Sequence, residues 1–259
     1  MSNTREPGRS TASRLFAVLE AFKSRGPLLS FTEIGEITGL PLATTHRVTR
    51  ELLKVGALER NADGMFQIGL HLWELGALAP RQRDLRRVAQ PMMASIHEAT
   101  GEVVQLVIFE NGRAICVEKI SGSRAVGNVT EVARALPLHA TAVGKVILAF
   151  SGEHFDDLIG ARLRRFTPQT LVDRDRLRAE VEKLRQEYVG YCREEFTLGT
   201  ASVASPIFDA DGHFVAALGI LSSSPVGLPR LAPAIRTAAL SVSQRMGYLP
   251  VGWPSAAYA

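Results

Sequence analysis

The sequence predicts an α+β protein in two parts: a small helical domain ending in a two-stranded ribbon, then a larger domain of mostly antiparallel strands with helices on its faces. Three observations carry that expectation. Three short segments with apolar residues at helical spacing, separated by Gly and Pro breaks, fill the chain up to Gly56. An Asp63-Gly64 turn between two short β-prone runs follows at once. Further on, strand patterns flanking Asn111-Gly112 and Asp211-Gly212 alternate with helical ones.

Residues 1–9 mix charge, Pro and Gly and read as a disordered lead-in. Ser10, Thr11 or Ser13 caps a first helix whose Leu15, Val18, Leu19 and Phe22 recur at i, i+3, i+4, i+7 spacing, and Gly26-Pro27 ends it. Ser30 and Glu33 form a Ser-x-x-Glu capping box, opening a short helix with Ile34, Ile37 and Leu40 inward. Gly39 and Pro41 close it. The third segment runs from Leu42 to a stop at Gly56, with Thr45, Val48, Leu52 and Val55 on one side and Ala43, His46, Arg47, Arg50 and Lys54 on the other. An apolar back with a basic, hydrogen-bonding front suits a helix that packs on two others and enters a DNA major groove. The ribbon, residues 57–60 and 65–68 about Asn61-Ala62-Asp63-Gly64, then reads as the wing of a winged helix-turn-helix spanning residues 10–69.

Residues 70–79 are helical and apolar on more than one face, which predicts burial between domains or subunits; residues 70–83 are taken as a linking helix. Residues 84–100 are a second helix with Leu85, Val88, Met92 and Ile96 on one side, kinked or restarted by Pro91. Arg81, Arg83, Arg86 and Arg87 read as a solvated charged end. Strands follow at 103–110 and 113–120, with a further one expected at 126–132. Helices are expected at 139–150, 173–188 and 231–246, and a strand pair at 201–209 and 214–221.

A chain of 259 residues is comfortable for two domains, and 46% hydrophobic with 22% charged residues is an ordinary globular composition. A formal charge of +4 permits a polyanionic partner without demanding one, and residues 1–68 hold nine Lys/Arg against seven Asp/Glu, so the basic bias lies on one helix face. No apolar run approaches the ~20 residues of a membrane span, and no signal peptide is seen, so a cytoplasmic protein is expected. Two cysteines are too few for a disulfide framework or a cysteine zinc site, and six scattered histidines form no metal-binding pair. No metal or cofactor is expected. Gly144-Lys145 lacks the rest of a phosphate loop, since 139 is His and 146 is Val. His139 is expected at a helix entrance, as a cap or a hydrogen-bonder to a ligand. Arg193 beside Cys192 is a neighbour that lowers a thiol pKa, but no His partner stands near in sequence, so Cys192 reads as buried or pocket-lining and Cys116 as core. Glu194 and Glu195 read as surface charge or loop pins rather than an acid/base pair. No catalytic constellation emerges, and an enzyme is not expected.

These residues resemble the IclR-type transcriptional regulators over nearly the whole chain. The resemblance rests on Leu40-Pro41-x-x-Thr44-x-His46-Arg47, the linking helix, Leu136-Pro137-Leu138-His139-Ala140-Thr141-Ala142-Val143-Gly144-Lys145, Gly190-Tyr191, Glu194-Glu195, Leu198-Gly199, Ala204-Ser205-Pro206-Ile207 and Asp211-Gly212, in the family's order. It implies that residues 84–259 form a GAF-like effector-binding and oligomerisation domain. It also implies a dimer, or a dimer of dimers, reading a palindromic double-stranded operator, and acting as a repressor of a catabolic operon. One departure is Leu42-Ala43-Thr44, where family members often open the recognition helix with Lys-Ser-Thr. Apolar contact with a thymine methyl is expected there in place of hydrogen bonds to phosphate.

On this reading Ala43, Thr44, His46 and Arg47 meet base edges, Arg14, Arg50 and Lys54 hold phosphates, and Ser30, Thr32 and Leu42 complete the DNA-binding set. The resemblance places Thr141, Ala142, Val143, Gly144, Cys192, Ser202, Gly219 and Leu221 at ligand-contacting positions, with His139 beside them. The polar inventory is thin and Gly219 and Leu221 make an apolar wall. The expected effector is therefore a larger, partly hydrophobic carboxylate, an aromatic catabolite.

Overall fold

The structure is a computed structural model that describes residues 10–122, 135–160, 162–223 and 227–250. Val126 to Val132, expected as a strand, lies outside the described residues. The chain divides into two compact units, Met1–Arg83 and Asp84–Ala259.

The first unit is three helices, a ribbon and a fourth helix: α1 (Thr11–Arg25), α2 (Phe31–Thr38), α3 (Leu42–Lys54), β1 (Leu58–Arg60), β2 (Phe66–Ile68) and α4 (Leu70–Ala77). Ser10 caps α1 by accepting from Ser13 N, and the Ser30/Glu33 capping box on α2 is complete in both directions. Gly39 takes the left-handed conformation that turns α2 into α3. Val18, Phe22, Ile34, Leu40, Val48, Leu52, Leu58 and Phe66 make one core. β1 and β2 pair antiparallel with Glu59 opposite Gln67, and Leu29 bridges to Phe66, tying the ribbon to the chain between α1 and α2.

One expectation fails here, at the end of α3. Val55 is 60% exposed, because α3 ends at Lys54 and Val55 leaves the helical path that would have turned it inward. α4 buries none of its residues within the chain: Leu70, Trp73 and Leu75 are exposed, as is Leu78 just past its end.

α5 (Pro80–Thr100) carries the chain into the second unit, which continues with β3 (Val103–Glu110), β4 (Arg113–Ile120), β5 (Ala135–Leu136), α6 (Ala142–Phe150), α7 (Phe155–Ile159), α8 (Arg174–Glu187), β6 (Gly190–Arg193), β7 (Ala201–Phe208), β8 (Phe214–Ser222) and α9 (Leu228–Arg245). Pro91 does not break α5. Pro91 lies on the exposed side of the helix, where a carbonyl left without its N–H partner is open to solvent. Arg86 is not merely solvated, since it reaches Glu118 on β4 with Nε at 2.9 Å and a terminal nitrogen at 2.7 Å.

Six strands form one sheet in the order β5-β4-β3-β8-β7-β6, every pairing antiparallel. Strand alternation gives each face its own core. Val104, Leu106, Leu218 and Ile220 pack with Leu85, Ala89 and Met93 of α5 and Ile235 and Val242 of α9. Val107, Cys116, Cys192, Ala204 and Ala217 pack with α6, α7 and α8 on the other. The first strongly apolar run, Val103 to Phe109, follows from burial on both faces.

Candidate nucleic-acid interface and effector site

In the first unit, the front of α3 stands clear of the core. Leu42, Ala43, His46, Arg47, Arg50 and Lys54 are exposed and Thr44 is half-buried, while Thr45, Val48, Thr49 and Leu52 face inward. The two buried threonines fold their hydroxyls onto backbone carbonyls, Thr45 onto Leu40 and Thr49 onto Thr45, so they present no polar atom to solvent. The ring of His46 meets Phe31 edge-on with centroids 6.3 Å apart, which holds its polar tip outward. Lys54 pairs with Glu51 at 2.9 Å, an exposed pair weak enough to give way to a phosphate. No side chain caps the N-terminus of α3 and no acid lies in its first turn, so its amides and dipole favour an anion. Arg14 is half-buried on α1 and Thr32 is exposed at the start of α2. The hydroxyl of Ser30 is already occupied, accepting from Glu33 N and donating to Glu33 Oε2.

In the second unit, the first turn of α6 presses onto the sheet where two strands carry glycine. A Cβ on Gly219 would stand 2.8 Å from Val143 Cγ1, and one on Gly190 would stand 2.6 Å from Leu184 Cδ1. A Cβ on Gly144 would run into backbone, 2.5 Å from Leu138 Cα and 2.6 Å from the Pro137 carbonyl. Cys192, Ser202 and Leu221 are successive cross-strand neighbours over β6, β7 and β8, with Val103 of β3 opposite Leu221. Ala142, Val143, Cys192, Ser202, Gly219 and Leu221 are thereby brought together around the start of α6. The side-chain row is mostly apolar.

His139 and Thr141 lie beside this group but spend their polar atoms on the chain. Thr141 caps α6, accepting from Gly144 N at 3.0 Å and donating to the Pro137 carbonyl at 2.8 Å. His139 is not the cap. Its Nε2 faces the Arg164 carbonyl at 2.8 Å, where it must donate, and its ring stacks on Phe166.

Sequence reasoning missed the most heavily buried charge. Lys145 stands in an otherwise apolar helix with no side-chain exposure, 0%, and donates to Glu195 Oε1 at 2.6 Å, Glu180 Oε1 at 2.9 Å and the Tyr191 carbonyl at 3.3 Å. Burial alone would lower its pKa, but Glu195 and Glu180 outweigh that and hold it above the ordinary lysine value. Glu195 is therefore a buried partner rather than surface charge. Glu194 is a loop pin, accepting from Gly199 N at 2.7 Å. The signal was available: one lysine in Ala-Val-Gly-Lys-Val-Ile-Leu-Ala-Phe has to find an anion.

Burial pushes the Cys192 thiol up to about 11, with Glu195 adding to the rise and Lys145 opposing it. The expected lowering by Arg193 fails because alternation along β6 sends Arg193 to the other face, over the Tyr191 ring. Sγ donates to the Ala140 carbonyl at 3.1 Å. Native protein treated with iodoacetamide at pH 7.5 should stay unlabelled at Cys192 and label fully once unfolded; prompt native labelling would contradict this environment. Asp209, Asp211 and His213 approach one another at the β7–β8 turn, but Asp209 Oδ1 already accepts from the backbone N–H groups of Asp211 and His213 to close that turn. Among the described residues no helix is long and apolar enough to cross a membrane.

Residues 11–62 match the family model described as the IclR helix-turn-helix domain, and residues 78–244 match the bacterial transcriptional regulator IclR C-terminal model. The chain is similar to the HTH-type transcriptional regulator KipR of Bacillus subtilis, 30% identical over 244 residues that span 92% of this chain and 97% of that protein. It is also similar to the HTH-type transcriptional repressor AllR of Salmonella typhi, 31% identical over 84% of this chain and 81% of that one. Among solved structures, an IclR homolog from Microbacterium hydrocarbonoxydans complexed with 4-hydroxybenzoate superimposes with a TM-score of 0.85 at 29% identity, covering 92% of this chain and 99% of that chain.

Proposed function

Because the chain belongs to the IclR family of helix-turn-helix transcriptional regulators, we propose that it is a repressor whose grip on a palindromic operator is set by a small aromatic acid. Residues 10–69 serve as the DNA-binding domain, 70–83, where α4 gives way to α5, as the linking segment, and 84–259 as the effector-binding and oligomerisation domain. The observation that carries the reading is the exposed His46, Arg47 and Arg50 front of α3 above a buried back of Thr45, Val48, Thr49 and Leu52.

In this reading Ala43, Thr44, His46 and Arg47 face base edges, and Arg14, Arg50 and Lys54 face phosphates. Arg47→Ala should cost about 1–3 kcal/mol on the preferred operator and relax preference at one base pair if the guanidinium is bidentate to guanine. Selection of bound DNA from a random pool, followed by anisotropy titrations, reads this. An equal loss on every sequence would make Arg47 a phosphate contact instead.

A palindrome needs two winged domains related by a two-fold axis. The apolar side chains of α4, with Trp73 at 68% exposure, support a second copy as their cover, since such a surface is costly to leave in water. The effector's carboxylate is assigned to the start of α6, where the helix dipole favours an anion, with Val103, Leu221 and Ser202 under the ring. The 4-hydroxybenzoate in the Microbacterium relative supports an aromatic acid over a small oxo-acid. Calorimetry in which glyoxylate or pyruvate binds better than any aromatic acid would sink that choice. Ligand recovered unchanged after long incubation, by mass spectrometry, is expected of a sensor, and conversion would favour an enzyme.

A further inference from the structure

One buried polar group on the effector face has no role so far. Gln105 interrupts the apolar run of β3 and is 2% exposed. Its Oε1 is buried without a hydrogen-bond partner. An amide gives up its water on burial, so a position that gained nothing from it would be better filled by leucine or methionine. The side chain lies across Gly219, its register partner on β8, towards the first turn of α6: its Cγ and Nε2 each lie 3.4 Å from the place a Gly219 Cβ would take, and Val143 Cγ1 lies 2.8 Å from the same place. Thr141 and Cys192, close by, have spent their donors on Pro137 and Ala140.

We propose that Gln105 is the specificity-determining residue of the effector site, selecting a hydroxylated acid by taking the effector's hydroxyl on its carboxamide. The proposal rests on the aromatic-acid reading above. A carboxylate brings acceptors only and would repel Oε1. A hydroxyl brings the proton that Oε1 lacks and can also accept from Nε2, so it suits either end of the amide. Where a site is built to meet a hydroxyl, the ligand without one leaves a buried group unpaired and is rejected.

Calorimetry of the full chain with 4-hydroxybenzoate and with benzoate tests this, on wild type, Gln105→Leu and Gln105→Met. Wild type should prefer the hydroxylated acid by about tenfold or more, and both variants should shrink that preference to about twofold while holding benzoate at least as well. Both variants should melt no lower than wild type without ligand, because an unpartnered amide has been removed. A preference that survives in both variants overturns the role of Gln105 and leaves the aromatic-acid reading standing. Equal binding of the two acids by wild type overturns it likewise. Both variants melting several degrees lower and losing both acids equally would make Gln105 a structural residue. If neither acid binds wild type, the aromatic-acid reading falls and this proposal falls with it.

Discussion

Lys145→Met is expected to destabilise the second unit by about 3–5 kcal/mol, since removing one member of a buried ion pair strands the other. The stranded group is Glu195, whose Oε1 loses a contact of 2.6 Å and whose Oε2 is already buried without a partner. Most folded chains have only about 5–15 kcal/mol to lose. The double variant Lys145→Met/Glu195→Gln should recover more than half of the loss, because it leaves no uncompensated charge. The sign of the pH dependence follows from the raised lysine pKa. The pair's contribution is whole below the ordinary lysine value and is lost as pH rises through the higher folded value. Chemical unfolding of the three proteins at neutral pH measures this, and a single-variant cost below about 1 kcal/mol would contradict the buried pair. The pair links α6, α8 and the end of β6, the elements around the proposed effector site, so ligand binding should fail with it.

Phe66→Ala should do the converse. Phe66 is 1% exposed at the centre of the first unit's core, its backbone bonded both ways to Leu29 and its ring under the Arg60 guanidinium at 4.6 Å. Truncating it should cost about 3–5 kcal/mol, and Phe66→Leu much less. DNA binding should vanish in the alanine variant while effector affinity stays within about twofold, because the two units have separate cores. Parallel loss of both activities would show that the units do not fold separately.

The difference between what could be read in the chain and what could not follows the range of the interactions. The capping box at Ser30, the helix stop at Gly39 and the turn at Asp63-Gly64 act within a few residues, and each appears in the structure as the sequence predicts. The amphipathic split of α3 was legible for the same reason, failing only at Val55, just past the helix end. Lys145 and Glu195 stand 50 residues apart, and no local pattern couples them. Without β6 recognised as a strand, Arg193 seemed a partner for Cys192, although alternation sends the two to opposite sides. The proposed effector face combines α6 with four strands, and register brings Gln105 to Gly219 and Ser202 to Leu221. The family resemblance pointed to Ala142, Val143, Cys192, Ser202, Gly219 and Leu221 but not to Gln105. A lone amide within Val103-Val104-Gln105-Leu106-Val107 was the available signal.

In the function proposed above, an aromatic acid bound in the second unit controls sequence-specific DNA binding by the first. The most direct test is an anisotropy titration of the best operator from an unbiased DNA selection, run with and without 4-hydroxybenzoate at fixed salt. A palindromic operator should be held far more tightly than random DNA, binding should weaken as salt rises, and the effector should shift Kd by about fivefold or more. Equal affinity for operator and random DNA, or an operator Kd that no aromatic acid moves, would contradict it.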